Sequence, residues 1–206
     1  MKKRIAILAS GNGSNFQRIT EYFAGNADVE IAVLYSNHPG AYALMRAKNL
    51  GIPAVIFDRT QFYTTADILN DLLARRIDWI VLAGFLWLVP DNILLAFRDH
   101  ILNIHPALLP KHGGKGMYGM RVHEAVIAAG DTESGITIHL VNEYYDEGQV
   151  IFQARCPVLP GDNAEAVAQK IHELEYAHFP RVIAEQLSKN NPAGNNSKQG
   201  YHESYF

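Results

Sequence analysis

The sequence predicts an α/β protein: a doubly wound, mostly parallel sheet with an antiparallel strand pair towards its C-terminus and helices on both faces. Three observations carry this prediction. Short apolar runs alternate with stretches of helical periodicity as far as residue 104. A turn of Gly, Ser and Asn separates the first run from the first helical stretch. Beyond residue 130 the alternation gives way to two runs joined by one short loop.

Taken in order, Ile5 to Leu8 reads as a buried strand, and Phe16, Ile19, Tyr22 and Phe23 then recur at helical spacing. Ile31 to Tyr35 repeats the strand signal, Ala41 to Leu50 the helix, Ala54 to Phe57 the strand and Thr65 to Arg75 the helix. Trp79 to Ala83 is a fourth strand and Ile101 to Ile104 a fifth. Such alternation needs crossover helices on both faces of a parallel, Rossmann-like sheet. Val122 to Ala129 reads as a short helix. Gly135 to Val141 and Gln149 to Ala154 read as an antiparallel pair, because the segment Asn142 to Gly148 is too short for a crossover. Ala164 to Leu187 carries Val167, Ile171, Leu174, Phe179 and Ile183 on one side, with Pro180 expected to kink or split it. One domain over residues 1–188 is expected, followed by a weakly ordered extension, 189–206, rich in Asn, Gly, Ser and Lys.

Composition narrows the function. A chain of 206 residues, 48% hydrophobic, can bury a full core. Its 18 basic residues are scattered and the net charge is -3, which argues against nucleic acid as a partner. The apolar run after Lys2-Lys3-Arg4 is too short for a secretory leader, and Ile80 to Val89 too short for a membrane span. Cys156 is the single cysteine, so no internal disulfide forms, and a reducing cytoplasm fits.

The turn "LASGNGSNFQ" is the first candidate site. Backbone N–H groups at a helix start attract an anion, and glycine lets a phosphate come close. The pattern is neither G-x-G-x-x-G nor a Walker sequence, which disfavours a nicotinamide dinucleotide. Capping of the helix by Ser14, with Gln17 completing a capping box, explains the same residues and is compatible with phosphate binding.

Asn103 and His105 form the second. Residues two apart in a strand point to one side, so an amide N–H and an imidazole can converge on a developing oxyanion. On spacing alone a hydrogen-bonded core histidine and a turn asparagine account for the pair better. Asp146 changes the balance if the hairpin brings it back beside the fifth strand, where a carboxylate would orient the imidazole; otherwise Asp146-Glu147-Gly148 is only a turn. His139 is a further candidate to face the cavity or to pack in the core. His172 and His178 lack metal-ligand partners at helical spacing, and no metal is expected.

Together, "SGNGSN", "VLAGF", "LNIHPALLPK", "SGITIHLVNEYYDEG" and "ELEYAHFP", in that order over roughly residues 4 to 187, resemble the phosphoribosylglycinamide formyltransferase family of folate-dependent enzymes. The resemblance implies a phosphate-binding turn at Asn12, Gly13, Ser14 and Asn15, with Glu175 meeting the amine end of the substrate. It implies a catalytic set of Asn103, His105 and Asp146. Folate contacts are implied at Leu86, Trp87, Leu88 and Val89, at Asn103, and at Asn142, Glu143, Tyr144, Tyr145 and Asp146. Two departures stand out: Trp87 replaces a residue that is basic in many members, and a folate-holding Arg has no aligned counterpart in "DRTQFYTTAD", where Arg59 is an unaligned substitute.

The implied reaction is formyl transfer from 10-formyltetrahydrofolate, a co-substrate, to glycinamide ribonucleotide, in purine biosynthesis. The expected enzyme is cytoplasmic, a monomer or homodimer, without metal, membrane or nucleic-acid partner. Formyltransferases acting on initiator tRNA or amino sugars, a formyl-folate hydrolase and a non-catalytic nucleotide-binding module are the competitors. The Gly-rich "KHGGKGMYG" suggests a mobile cover over the site.

Overall fold

The structure, a computed structural model, describes residues 2–189. The extension expected at its C-terminus lies, from residue 190 on, outside the described residues. Strands β1 (Lys3–Leu8), β2 (Val29–Ser36), β3 (Ala54–Ile56), β4 (Trp79–Leu82), β5 (Ile101–His105), β6 (Glu133–Leu140) and β7 (Val150–Pro157) form one sheet in the order β3-β2-β1-β4-β5-β6-β7. The first five run parallel. β6 pairs antiparallel with β5, setting Asn103 opposite His139 and His105 opposite Thr137, and β7 pairs antiparallel with β6.

The helices are α1 (Ser14–Tyr22), α2 (Tyr42–Leu50), α3 (Asp67–Ala74), α4 (Asp91–Ala96), α5 (Met120–Ala128) and α6 (Ala164–Lys189), with one π-helical turn at Thr60–Thr64. Strand alternation divides the core in two. Ile5, Ile7, Leu102 and Ile104 pack in one layer with Phe16, Val126, Ile171 and Phe179. Ala6, Leu8 and Ile101 face the other way and pack with Phe57, Ile68, Leu72 and Ile93. Asn103 and His105 therefore share the face of Ile101, opposite Leu102 and Ile104. Burying each large apolar side chain in these layers contributes roughly 1.5–3 kcal/mol.

Two expectations change. Ser14 does not cap α1: Gly13 holds the cap position with φ 74, no side chain bonds there, and Gln17 instead bonds the Arg46 guanidinium and Glu21. α6 runs unbroken through Pro180, because Phe179, Pro180, Val182 and Ile183 are buried against the sheet and hold both halves in one element despite the lost N–H. α4 had no signal of its own: a helix this short, started by Pro90 and Asp91, presents too few apolar positions to show a period.

Candidate active site

A cavity of about 600 Å³ opens at the carboxyl ends of β1, β4 and β5, where ligands of doubly wound sheets bind. The turn Gly11 to Asn15 forms one wall and Ala83 to Leu86 another. Asn103, His105, Tyr145 and Asp146, the loop Gly114 to Gly119, and Arg121, His123, His172 and Glu175 complete it.

The turn is clamped from two sides. The Ser10 N–H donates to the Gly84 carbonyl and the Leu86 N–H to Ser10 Oγ, both at 3.0 Å, tying it to the segment after β4. From α2, Arg46 donates to the Asn12 carbonyl at 2.9 Å and to Asn12 Oδ1 at 2.8 Å, and the Ala43 N–H donates to the Gly11 carbonyl. A Cβ on Gly13 would stand 2.6 Å from the Ala43 Cβ, so glycine here serves the close approach of α2 as well as the left-handed backbone. With no side chain capping α1, the N–H groups of its first turn remain open to a ligand.

Asn15 lies inside this wall and donates to Glu175 Oε2 at 2.9 Å, while its Oδ1 has no partner among the described residues. Glu175 is buried and also holds His172 Nδ1 at 3.0 Å; that contact raises the His172 pKa above its ordinary value. His123 is buried, its Nδ1 without a partner among the described residues, and its pKa is pushed down by burial.

At the other end, the chain brings together the three residues proposed for catalysis. The β6–β7 turn folds back so that Asp146 Oδ2 lies 3.4 Å from His105 Nδ1 and Oδ1 lies 3.4 Å from Asn103 Nδ2. Asp146 does this with φ 58, a left-handed conformation that Asp tolerates better than most residues. Gly148 permits the fold-back, since a Cβ there would run into the Leu140 carbonyl. The Gly114 N–H donates to Asp146 Oδ2 at 2.9 Å.

His105 Nε2 lies 2.8 Å from the His112 carbonyl, which can only accept, so Nε2 carries the proton and Nδ1 faces Asp146. Burial holds the His105 pKa below its usual value, although Asp146 and the His112 carbonyl oppose that shift. Burial by itself would raise the Asp146 pKa, but His139, the His105 ring and the Gly114 N–H outweigh it and keep the carboxyl low. At neutral pH both directions leave a carboxylate beside a neutral imidazole, and a cationic His105 forms only when a proton arrives. His139 is buried and supports Asn103, whose Nδ2 meets its Nε2 at 3.0 Å while Nδ1 bonds the Leu140 carbonyl.

The family model described as Formyl transferase matches residues 3–183. The chain belongs to the formyl transferase family. Phosphoribosylglycinamide formyltransferase of Haemophilus influenzae is 40% identical over 88% of this chain and 85% of its own length. The chloroplastic phosphoribosylglycinamide formyltransferase of Vigna unguiculata is 40% identical over 88% of this chain, which spans only 60% of that relative. Among solved structures, glycinamide ribonucleotide transformylase 1 of Geobacillus kaustophilus shares 37% identity over 91% of this chain and 100% of its own, with a TM-score of 0.82.

Set against the contacts implied for this formyl transferase, the cavity gathers Asn12, Gly13, Ser14, Asn15, Glu175, Leu86, Asn103, His105, Tyr145 and Asp146. Trp87, Leu88 and Val89 lie off it. Trp87 packs among Phe57, Phe62, Tyr63 and Phe85 with the Arg59 guanidinium 4.7 Å over its ring, Tyr63 donates to the Leu88 carbonyl, and Val89 is buried. Asn142 and Glu143 line a second cavity, about 630 Å³, against Asp91, Leu94, Leu95, Arg98 and Asp99 of the α4 region; Tyr144 is exposed. Sequence inspection missed Arg46, Arg121, His123 and His112. Nothing local marks Arg46, because its partner Asn12 is brought to it only by the packing of α1 on α2. Among the described residues no group of three or more His, Cys, Asp or Glu side chains is placed to hold a metal ion, and no helix is long and apolar enough to cross a membrane.

Proposed function

We propose that this chain transfers the formyl group of 10-formyltetrahydrofolate to the primary amine of glycinamide ribonucleotide, giving N-formylglycinamide ribonucleotide and tetrahydrofolate in purine synthesis. One observation carries the proposal: a single cavity joins an uncapped Gly-rich helix start to a convergent Asn103, His105 and Asp146. The names of the relatives agree with it.

The phosphate sits against the backbone of Asn12, Gly13, Ser14 and Asn15, and Glu175 takes the amine end of the ribonucleotide. The folate meets Leu86 and the backbone of Trp87, Leu88 and Val89, whose side chains pack away from the cavity, and the turn Asn142 to Asp146, reaching Asn103. The amine nitrogen attacks the formyl carbon, and the formyl oxygen gains the negative charge. Asn103 Nδ2 donates to that oxygen. With Nε2 already protonated and anchored, His105 Nδ1 receives the proton released by the amine, and Asp146 stabilises the resulting imidazolium. When the bond from carbon to N10 breaks, the proton passes to N10 through water. A cytoplasmic location is part of the same proposal.

The test is to follow tetrahydrofolate production by absorbance with both substrates and purified full-length protein. Turnover that requires glycinamide ribonucleotide supports the assignment. Formyl transfer only to an amino sugar, or hydrolysis without an amine, would replace it with another reaction of the same family.

A further inference from the structure

The loop after β5 touches both members of the catalytic pair: the His112 carbonyl accepts from His105 Nε2, and the Gly114 N–H donates to Asp146 Oδ2. His112 itself sits at φ 54, a left-handed backbone uncommon for a non-glycine residue. Side-chain contacts hold it there. Its side-chain Nε2 meets Asp131 Oδ2 at 2.7 Å, at the end of α5, and the other oxygen of Asp131 takes Lys111 at 2.9 Å. The His112 and Asp131 side chains are only 17% and 16% exposed, against 69% for Lys111, so the first contact is the shielded one. Between the two bonds the loop packs closely, and a Cβ on Gly113 would crowd Leu109 Cδ2 at 2.5 Å.

We propose that His112 and Asp131 are positioning residues for the formyl-transfer reaction: their side-chain hydrogen bond pins the loop so that the His112 carbonyl fixes the proton on His105 Nε2 and leaves Nδ1 as the working nitrogen. This rests on the function proposed above. A histidine's tautomer is set by the hydrogen bond its other nitrogen makes. His105 is also faced by Asp146 from the hairpin turn, His139 from β6, and His123 and Glu175 from α5 and α6. None of these contacts Nε2, and the Asp146 carboxylate by itself would favour a proton on Nδ1, so among the described residues it is the His112 carbonyl that keeps the proton on Nε2. Without the pin, a left-handed His112 has reason to relax, and its carbonyl moves with it.

The experiment compares the wild type with Asp131→Ala, His112→Ala and His112→Gln, and with Lys111→Ala as a control that leaves the shielded pair intact. Two readouts are taken on full-length protein: steady-state kinetics, and the ¹⁵N shifts of the His105 ring, assigned by its loss in His105→Gln. The wild type should show His105 as the Nε2–H tautomer. Asp131→Ala and His112→Ala should mix the tautomers and lower kcat on the order of 10- to 100-fold, as displaced catalytic groups do, with KM values changed less than about threefold. His112→Gln, whose amide can still donate to Asp131, should recover most of the loss, and Lys111→Ala should stay within about twofold. If Asp131→Ala proves unstable, His112→Ala is read at a temperature where its melt shows it folded. An unchanged tautomer and unchanged kcat in both disrupting variants would overturn the proposal, as would a fall in melting temperature with an intact tautomer. The ring shifts need no substrate, so a wild type that shows the Nε2–H tautomer but no turnover would overturn the assigned reaction alone.

Discussion

His105 Nδ1 and Asp146 Oδ2 stand 3.4 Å apart, both largely buried, with the His105 Nε2 proton committed to a backbone carbonyl. At that distance the pair gains its full attraction only once Nδ1 is protonated. The two side chains should therefore behave as a unit. Asp146→Asn keeps both the shape and the tolerance of a left-handed backbone, so it should fold normally yet lower turnover by several orders of magnitude. The variant lacking both residues should be little worse than the worse single one. Fully multiplicative losses in that double-mutant cycle would mean that they act independently.

Asn103 offers Nδ2 to His139 at 3.0 Å and to Asp146 at 3.4 Å. The longer contact is the one a formyl oxygen can replace. Asn103→Ala should cost on the order of 10²–10³ in kcat, as for other oxyanion donors, with far smaller changes in KM. Loss expressed mainly in KM would make Asn103 a binding residue.

The pH dependence follows from burial. His105 has a folded pKa below its ordinary 6.5, and His123 shares that direction. Between the depressed values and about 6.5 the unfolded chain binds more protons, so stability rises with pH through this window and is lost as pH falls. Asp146 adds a contribution that is present above about 3.8 and lost below it, as its lowered pKa is crossed. His172, raised by Glu175, has the opposite sign: its contribution is complete below 6.5 and fades as pH rises through its folded pKa. For His105 the sharp test is Asp146→Asn, which removes a charge that raises its pKa. Its ¹⁵N titration midpoint should move further down, and an upward move would contradict the charge assignment.

Replacing Gly13 by Val drives a side chain into Ala43 and forces a branched residue into a left-handed backbone, costing about 1–2 kcal/mol or more. The turn should shift off α2, raising KM for the ribonucleotide much more than for the folate and lowering Tm. Arg46→Ala should raise the same KM about 2- to 10-fold, equivalent to one hydrogen bond of roughly 0.5–1.5 kcal/mol, while leaving kcat nearly unchanged. Equal effects on both substrates would count against a phosphate at this turn.

The sheet was legible because its strands are short apolar runs set between clear turns, and all seven emerge within a few residues of their predicted bounds. Asn103 and His105 were legible as a pair because a strand's period of two is enough to aim them together. The position of Asp146 was not: it depends on a left-handed residue and on Gly148 approaching the Leu140 carbonyl, neither of which leaves a periodic trace. The supposed capping box failed for a related reason. Gly13 takes the cap because α2 needs the space, a demand made by Ala43 from another part of the chain. The loop at His112 read only as Gly-rich, since the contact that pins it spans 19 residues to Asp131.

The bond from Asn15 to Glu175 joins the first helix to the last across 160 residues of chain. Nearly the entire polypeptide must therefore be synthesised before the cavity exists, and no N-terminal fragment ending before α6 carries a complete binding surface. Contacts of such sequence separation form late and slowly. In a refolding experiment, burial of Trp79 should accompany assembly of the sheet, and recovery of catalysis should coincide with it or lag behind, never lead.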